Sequence, residues 1–177
     1  DSTGLGVLIS ALKKLKENGV NTLIDLLKYC VPDEEMIRKM PSYHAIMLAQ
    51  NDIGRMNLYK LVSCSHLKYF MRRPKIPKSM FLNNREGILI GSACEAGELF
   101  QALVKDYNEK RINELADFYD YYEIQPLGNN QFMLNSNQYT HIQTKEDLME
   151  LNRQIVTLGD KKNKKVVATC DVHFMDP

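Results

Sequence analysis

Charge of one sign, long apolar runs and paired cysteines are all scarce in this sequence of 177 residues. Lys and Arg total 23 against 22 for Asp and Glu, a formal net charge of +1. There is thus no overall pull toward nucleic acid or an anionic membrane, and any such contact has to come from a local cluster. No uninterrupted apolar stretch approaches the ~20 residues that span a bilayer, and no basic-then-apolar leader opens the chain. The expectation is a soluble, cytoplasmic protein with no membrane partner. Cys30, Cys64, Cys94 and Cys170 are spread widely, with no C-x-x-C pair and no His at zinc-finger spacing, which argues against a disulfide-stapled secreted domain. Each reads first as a buried, inert thiol. The patterns G-x-x-x-x-G-K-[ST], G-x-G-x-x-G and G-x-S-x-G are missing, which removes simple nucleotide-loop and serine-hydrolase readings. What is present is 44% apolar, enough for a real core and too much for a disordered chain. The sequence opens at Asp1 without Met and stops at Asp176-Pro177, so an excerpt of a longer polypeptide, with exposed apolar strand edges, is expected.

The front of the chain reads as all-helical. Leu5, Leu8, Ile9, Leu12 and Leu15 repeat at helical spacing up to Asn18-Gly19, a helix stop. A second short helix fits Thr22 to Tyr29, and a third follows Asp33, an N-cap candidate with Glu34 and Glu35 behind it. From Pro41 onward strands and helices alternate. His44 to Ala49 reads as a buried strand, and Met56 to Phe70 as a helix with Leu58, Leu61, Val62 and Leu67 inward. The two prolines in Arg72-Arg73-Pro74-Lys75-Ile76-Pro77-Lys78 predict a loop or arm. Gly87 to Gly91 is a strand, Glu95 to Lys105 and Arg111 to Tyr119 are helices, and Tyr121 to Gln125 is a strand. The Asn-rich stretch from Gly128 to Gln138 reads as a loop. Thr144 to Asp147 opens a long helix with a capping-box pattern, buried along Leu148, Leu151, Ile155 and Leu158 and ending at the Lys161-to-Lys165 cluster. Lys165 to Thr169 is a last strand. With no hairpin signals, about four parallel strands with helical crossovers are expected: an α/β fold, with its chemistry just past the carboxyl ends of the strands.

Two strand ends carry residues suited to that chemistry. In an extended segment residues i and i+2 point to one side, so Asp171 and His173 can aim a carboxylate and an imidazole at one point. Oxygen with nitrogen donors suits Zn²⁺, Mn²⁺ or Fe²⁺, and a thiolate from Cys94 would favour zinc. Cys94 stands where a strand hands over to a helix, so its pKa is expected to be lowered by the helix N-terminus; its bland alternative is a small apolar filler. A loop Asp and His occur together by chance, and His44 at the edge of an apolar run is as compatible with a satisfied core residue as with a ligand. His66 and His141 receive no role. Arg72, Arg73, Lys75 and Lys78, beside Tyr69 and Phe70, can meet phosphates of DNA or can be solvated loop charge.

Longer stretches are more specific: Tyr43 to Asn51 (YHAIMLAQN), Asn57 to Ser63 (NLYKLVS), Tyr69-Phe70 running into Arg73 to Ser79 (RPKIPKS), Gly91 to Glu98 (GSACEAGE), Phe118 to Pro126 (FYDYYEIQP) and Val166 to His173 (VVATCDVH). In this order they resemble the second part of the PHP (polymerase and histidinol phosphatase) domain of bacterial C-family replicative polymerases, over about Ser42 to Pro177. In the PolC type of that family a DEDDh proofreading exonuclease is inserted within the PHP domain. The start of its last helix is similar to Asp1-Ser2-Thr3-Gly4 followed by Leu8 and Leu12.

The resemblance implies residues 1–40 as the helical end of the exonuclease domain with a connector, and residues 41–177 as an incomplete second part of the PHP domain. The implied fold is a partial, distorted (β/α)7 barrel preceded by an all-helical segment. Asp1 becomes the last exonuclease metal ligand, and His44, Cys94, Asp171 and His173 become PHP metal ligands, with Glu95 and Glu123 as weaker neighbours. The implied cofactors are Zn or Mn at the PHP site and Mg for polymerase and exonuclease chemistry elsewhere. The implied partners are template-primer DNA, deoxynucleoside triphosphates, a sliding clamp and other replisome subunits. The family's earlier H-x-H motif is absent, and four ligands cannot build a three-metal phosphoesterase site, so the segment alone is expected to be inactive. Alternatives are a scaffold role in a DnaE-type polymerase or a free-standing PHP phosphoesterase.

Overall fold

The computed structural model describes residues 34–170. The helices expected at 4–18 and 22–29, and the candidate ligands Asp1, Asp171 and His173, lie outside the described residues. The described residues form two compact units, one of residues 34–40 and 53–86 and one of residues 41–52 and 87–170.

In the first unit, α1 (Glu34–Lys39) has acidic residues in its first turn and basic ones in its last, matching the helix dipole. The pairs Lys39–Glu35 at 2.6 Å and Arg38–Glu34 at 3.5 Å bridge successive turns. Helix α2 (Asp52–Leu67) buries Gly54, Asn57, Leu61 and Ser65. Its inward face therefore differs from the expected one, since Val62 is 44% and Leu67 81% exposed. Asn57 replaces an apolar residue there because its Nδ2 donates to the Glu86 carbonyl at 3.0 Å, satisfying a main-chain acceptor. Residues 68–77 are irregular, as expected for 72–77, but α2 stops short of the expected Phe70, and Lys78, expected in the arm, opens a short helix, α3 (Lys78–Asn83), at whose N-cap Pro77 stands.

The second unit is a four-stranded sheet of β1 (Ile46–Ala49), β2 (Ile88–Gly91), β3 (Tyr121–Ile124) and β4 (Lys165–Ala168), in that order across the sheet. Strands β2, β3 and β4 are parallel, but β1 runs antiparallel to β2, against expectation. The reason is local. Gln50 N donates to the Gly87 carbonyl at 2.8 Å, so the chain leaves β1 and re-enters β2 at adjacent points. Adjacent ends give an antiparallel pair, whereas a parallel pair needs a crossover that returns to the starting edge. Gly87, at φ 72, makes the re-entry in a conformation that favours glycine.

Three helices belong to this unit. Helix α4 spans Glu98–Val104, α5 spans Glu109–Asp117 and α6 spans Lys145–Lys162. In α6 the expected capping box is present, with Thr144 and Asp147 exchanging bonds, and Leu148, Leu151, Ile155 and Leu158 are buried as the periodicity implies. Ile88, Ile90 and Tyr122 on the sheet's covered face are at most 3% exposed, each contributing roughly 1.5–3 kcal/mol of hydrophobic stabilisation. On the opposite face β1 carries Ile46 at 40% and Leu48 at 49% exposure. β1 is thus an exposed edge strand rather than the buried strand the apolar run suggested.

The stretch expected as an Asn-rich loop is a 3-10 helical segment, Leu127–Asn135. Its three-residue turn aligns Leu127, Asn130 and Met133, of which Asn130 and Met133 are buried. Lys164 joins β4 to the end of α5. Its Nζ donates to the carbonyls of Ala116 at 2.9 Å, Asp117 at 3.2 Å and Tyr119, and it lies 5.7 Å from the Tyr122 ring centre. A cation at a helix C-terminus satisfies carbonyls that have no intrahelical partner.

Candidate metal centre

The loop after β2 carries the candidate thiol, and four main-chain ties fix it. Ser92 N donates to Tyr121 O at 3.3 Å, Gly97 N to Cys94 O at 2.9 Å and His44 N to Ala96 O at 3.0 Å. Gln101 Nε2 donates to Glu95 O at 2.8 Å. Ala93 has φ 59, a left-handed conformation that costs about 1–3 kcal/mol for a residue with a side chain. That strained residue directly precedes Cys94.

The same ties bring His44 from the start of β1 beside Cys94, with Nδ1 3.5 Å from Sγ. An imidazole nitrogen and a sulfur at this separation are two converging donors of the kind zinc prefers. The Cys94 pKa, however, is raised rather than lowered. Burial is the first cause, and Glu95 adds to it by hydrogen bond and charge, against a lowering bond from the Ala96 backbone. The helix-dipole expectation is corrected because α4 begins only at Glu98, with Gly97 as its N-cap, and the dipole acts within the first turn. Without a metal Cys94 is a thiol at neutral pH, so a metal would bind here with release of a proton.

Glu123 lies on β3, between the strand leading to Cys94 and the strand leading to Asp171, and is 6% exposed. Its backbone N donates to Ser92 Oγ at 3.0 Å, and its Oε2 accepts from Thr169 Oγ1 at 3.0 Å. Its Oε1 is buried with no hydrogen-bond donor among the described residues. Two residues along the strand, Tyr121 has its pKa raised first by burial, then by the Glu123 charge and by a hydrogen bond to the Glu123 side chain. The end of β4 is pinned as well, Thr169 N donating to Ile124 O at 3.0 Å and Asn129 Nδ2 to Cys170 O at 3.2 Å.

Among the described residues, then, His44 and Cys94 come together, Glu95 neighbours Cys94, and Glu123 occupies the adjoining strand. No group of three or more metal-ligating side chains assembles among the described residues. Ser92, Thr169 and Asn129 hold the site's backbone and were not singled out from the sequence. The available signal was their place at strand ends with hydroxyl or amide side chains, too common a feature to stand out. In the basic arm Arg72 and Arg73 are exposed. Lys75 is instead engaged, its Nζ donating to the carbonyls of Arg38 and Met40, both at 2.5 Å.

Residues 4–138 match the PHP domain. The chain belongs to the PHP domain family. The α/β architecture, with a four-stranded sheet and helices, agrees with part of a PHP-type barrel. This PHP chain is 46% identical over 175 residues to a protein of Clostridium perfringens named DNA polymerase III PolC-type, covering 97% of the chain and 12% of that protein. It is 44% identical over 163 residues to the protein of that name from Caldanaerobacter subterraneus, covering 92% of the chain and 11% of the relative. The one from Bacillus subtilis is 39% identical over 170 residues, 96% of the chain and 12% of the relative. The PHP chain thus spans about an eighth of the length of these curated relatives. Among its described residues no helix is long and apolar enough to cross a membrane.

Proposed function

We propose that this chain is a segment of a PolC-type replicative DNA polymerase and that it supplies metal ligands and scaffold to the PHP domain of that enzyme. The observation that carries this reading is 46% identity over 97% of the chain to a protein of which it covers 12%. In the whole enzyme, template-primer DNA and deoxynucleoside triphosphates are substrates, Mg²⁺ serves nucleotidyl transfer and 3′–5′ exonuclease proofreading, and a sliding clamp and other replisome subunits are partners in the cytoplasm. Residues 1–40 close the exonuclease domain, with Asp1 as a metal ligand there, and residues 41–177 are the second part of the PHP domain.

At the PHP site His44, Cys94, Asp171 and His173 are the ligands for Zn²⁺ or Mn²⁺. The donor chemistry fits: the His44 nitrogen and Cys94 sulfur converge, and Glu123 Oε1 is buried with no donor among the described residues. A divalent ion supplies Lewis-acid polarisation of a phosphate or acidification of a bound water. The residues of this chain bind and orient it, and four ligands alone do not complete a multi-metal phosphoesterase site. Replacing Asp171 by Asn together with His173 by Ala in the full-length protein is expected to release metal, read by elemental analysis. Unchanged stoichiometry would overturn the ligand assignment.

A further inference from the structure

The net charge of +1 for the whole chain hides an uneven division. Among the described residues the first unit carries ten Lys and Arg against three Asp and Glu, and the second carries nine against thirteen. The first unit is therefore strongly basic for its size, the electrostatic footprint of a surface that meets a polyanion. Two of its three acids are already engaged at α1: Glu34 with Arg38 at 3.5 Å and Lys68 at 4.0 Å, and Glu35 with Lys39 at 2.6 Å. Arg72 and Arg73 are exposed, and neither guanidinium forms an ion pair among the described residues.

The unit also holds that pair in place. Just before it, Arg38 Nε donates to the Lys68 carbonyl at 2.7 Å and Tyr69 is 6% exposed. Just after it, Lys75 Nζ donates to the carbonyls of Arg38 and Met40. Between these ties Met71 N donates to Arg73 O at 3.2 Å, a tight turn with Arg72 at φ 63. That conformation is strained for a residue with a side chain and persists only where the surroundings impose it. Charge that is merely solvated needs no such support.

An aromatic ring completes the surface. Phe70 stacks on His66, with ring centres 6.1 Å apart and 26° between the planes, and stays 49% exposed. A half-exposed ring beside two unpaired guanidinium groups suits a single strand, whose bases stack on rings while its phosphates meet cations. A duplex keeps its bases stacked on one another and would leave Phe70 idle. Leu67 at 81% and Met71 at 46% exposure would also serve an anionic lipid surface, but such binding draws on a continuous amphipathic helix, and the two arginines stand in a turn. We propose that the end of α2 and the arm after it bind single-stranded DNA, with Phe70 stacked on a base and Arg72 and Arg73 holding the flanking phosphates. Lys75 supports the turn and does not touch the strand. That the strand is DNA rests on the polymerase reading above.

The test uses the full-length protein and a fluorescent oligodeoxythymidine, with binding followed by anisotropy across a salt series. Phe70→Ala and Phe70→Leu are expected to weaken single-strand binding roughly 5–150-fold, the range for losing one base–ring stack, at an unchanged salt slope. Phe70→Tyr, which keeps a ring, is expected to bind as the parent does. Arg72→Ala with Arg73→Ala is expected to lower the slope of log affinity against log salt by about 1.4, the value for two phosphates of a single strand. A blunt duplex is expected to bind Phe70→Ala as tightly as it binds the parent. Parent-like single-strand affinity in Phe70→Ala would overturn the inference, as would an equal loss of duplex binding. Vesicles of phosphatidylglycerol and phosphatidylcholine in equal parts that bind the parent and lose as much on Phe70→Ala would overturn it in favour of a lipid surface. A parent that binds the single strand through Phe70 but extends no primer would instead overturn the polymerase reading and leave the surface standing.

Discussion

Gly97→Ala sets two opposed effects against each other, and the sign of the result decides between them. Gly97 has φ −73 and ψ 151, which alanine adopts without strain, so a purely conformational account predicts a gain of about 0.4–1 kcal/mol from the less flexible unfolded chain. The added Cβ, however, would lie 2.1 Å from Ser92 O and 2.9 Å from Cys94 O. Both are backbone atoms of the pinned loop, so neither can swing aside as a side-chain tip would. Relief requires the main chain to move by roughly an ångström, at the 1–3 kcal/mol typical of overpacking. The movement also strains the Gly97 N to Cys94 O bond at 2.9 Å and the His44 N to Ala96 O bond at 3.0 Å, each worth about 0.5–1.5 kcal/mol. The net expectation is a loss of roughly 1–3 kcal/mol, together with weaker metal binding as Cys94 moves relative to His44. Urea unfolding should show a lower midpoint at an unchanged slope. Gly128→Ala is the internal control: nothing lies within 4 Å of its added Cβ, so its effect should stay within about 0.5 kcal/mol. A Gly97→Ala protein as stable as the parent, or more so, would refute the steric argument and with it the claim that the loop is held rigidly.

Three other expectations follow from the ties described above. Lys164→Met should destabilise by about 2–4 kcal/mol, the sum of a charged hydrogen-bond donor, a favourable dipole interaction and a cation–π contact; a midpoint in urea unchanged from the parent would show that water replaces the ammonium at no cost. Asp147 accepts from Gln143 N, Thr144 N and Thr144 Oγ1, and its pKa is lowered first by the Gln143 bond. A native pKa below the unfolded one means that this stabilisation is complete above the ordinary carboxylate value of about 3.9 and is lost as pH falls through the native value. Asp147→Ala should accordingly flatten the acid limb of stability against pH, and an unaltered limb would show that other carboxylates produce it. In the basic arm, Arg72→Ala with Arg73→Ala in the full-length protein should reduce the salt dependence of DNA affinity. Lys75→Ala should leave that slope in place and instead lower the hydrogen-exchange protection of α1, whose last carbonyls Lys75 holds; the opposite pattern would exchange the two assignments.

Part of the fold was legible because its signals are local. The capping box at Thr144 and Asp147 and the apolar stripe Leu148, Leu151, Ile155 and Leu158 depend on residues within one or two turns, and all appear as expected. Other features were legible only in part. The polar composition from Gly128 to Gln138 reads as a loop, and only the structure shows a 3-10 segment with Asn130 and Met133 buried. The same periodicity that placed Leu61 inward also placed Val62 and Leu67 inward, and both are exposed. The candidate ligands His44 and Cys94 could be named from the sequence, whereas the neighbours that hold them could not. Ser92 and Thr169, which tie the strand ends around Glu123, are common residue types whose partners lie 31 and 46 positions away.

The sequence by itself determined the alternation of strands and helices, the caps and buried stripes of the longer helices, the residue types able to bind a metal, and the membership of a polymerase-associated family. These follow from spacing along the chain and from motif order. Only the tertiary structure decided that β1 runs antiparallel, since direction depends on Gln50 meeting Gly87. It likewise decided that the Cys94 pKa is raised, since burial outweighs a helix that begins too late to help. It also buried Glu123 beside the Thr169 hydroxyl and the Tyr121 side chain, because burial and pairing are properties of what the sheet brings alongside.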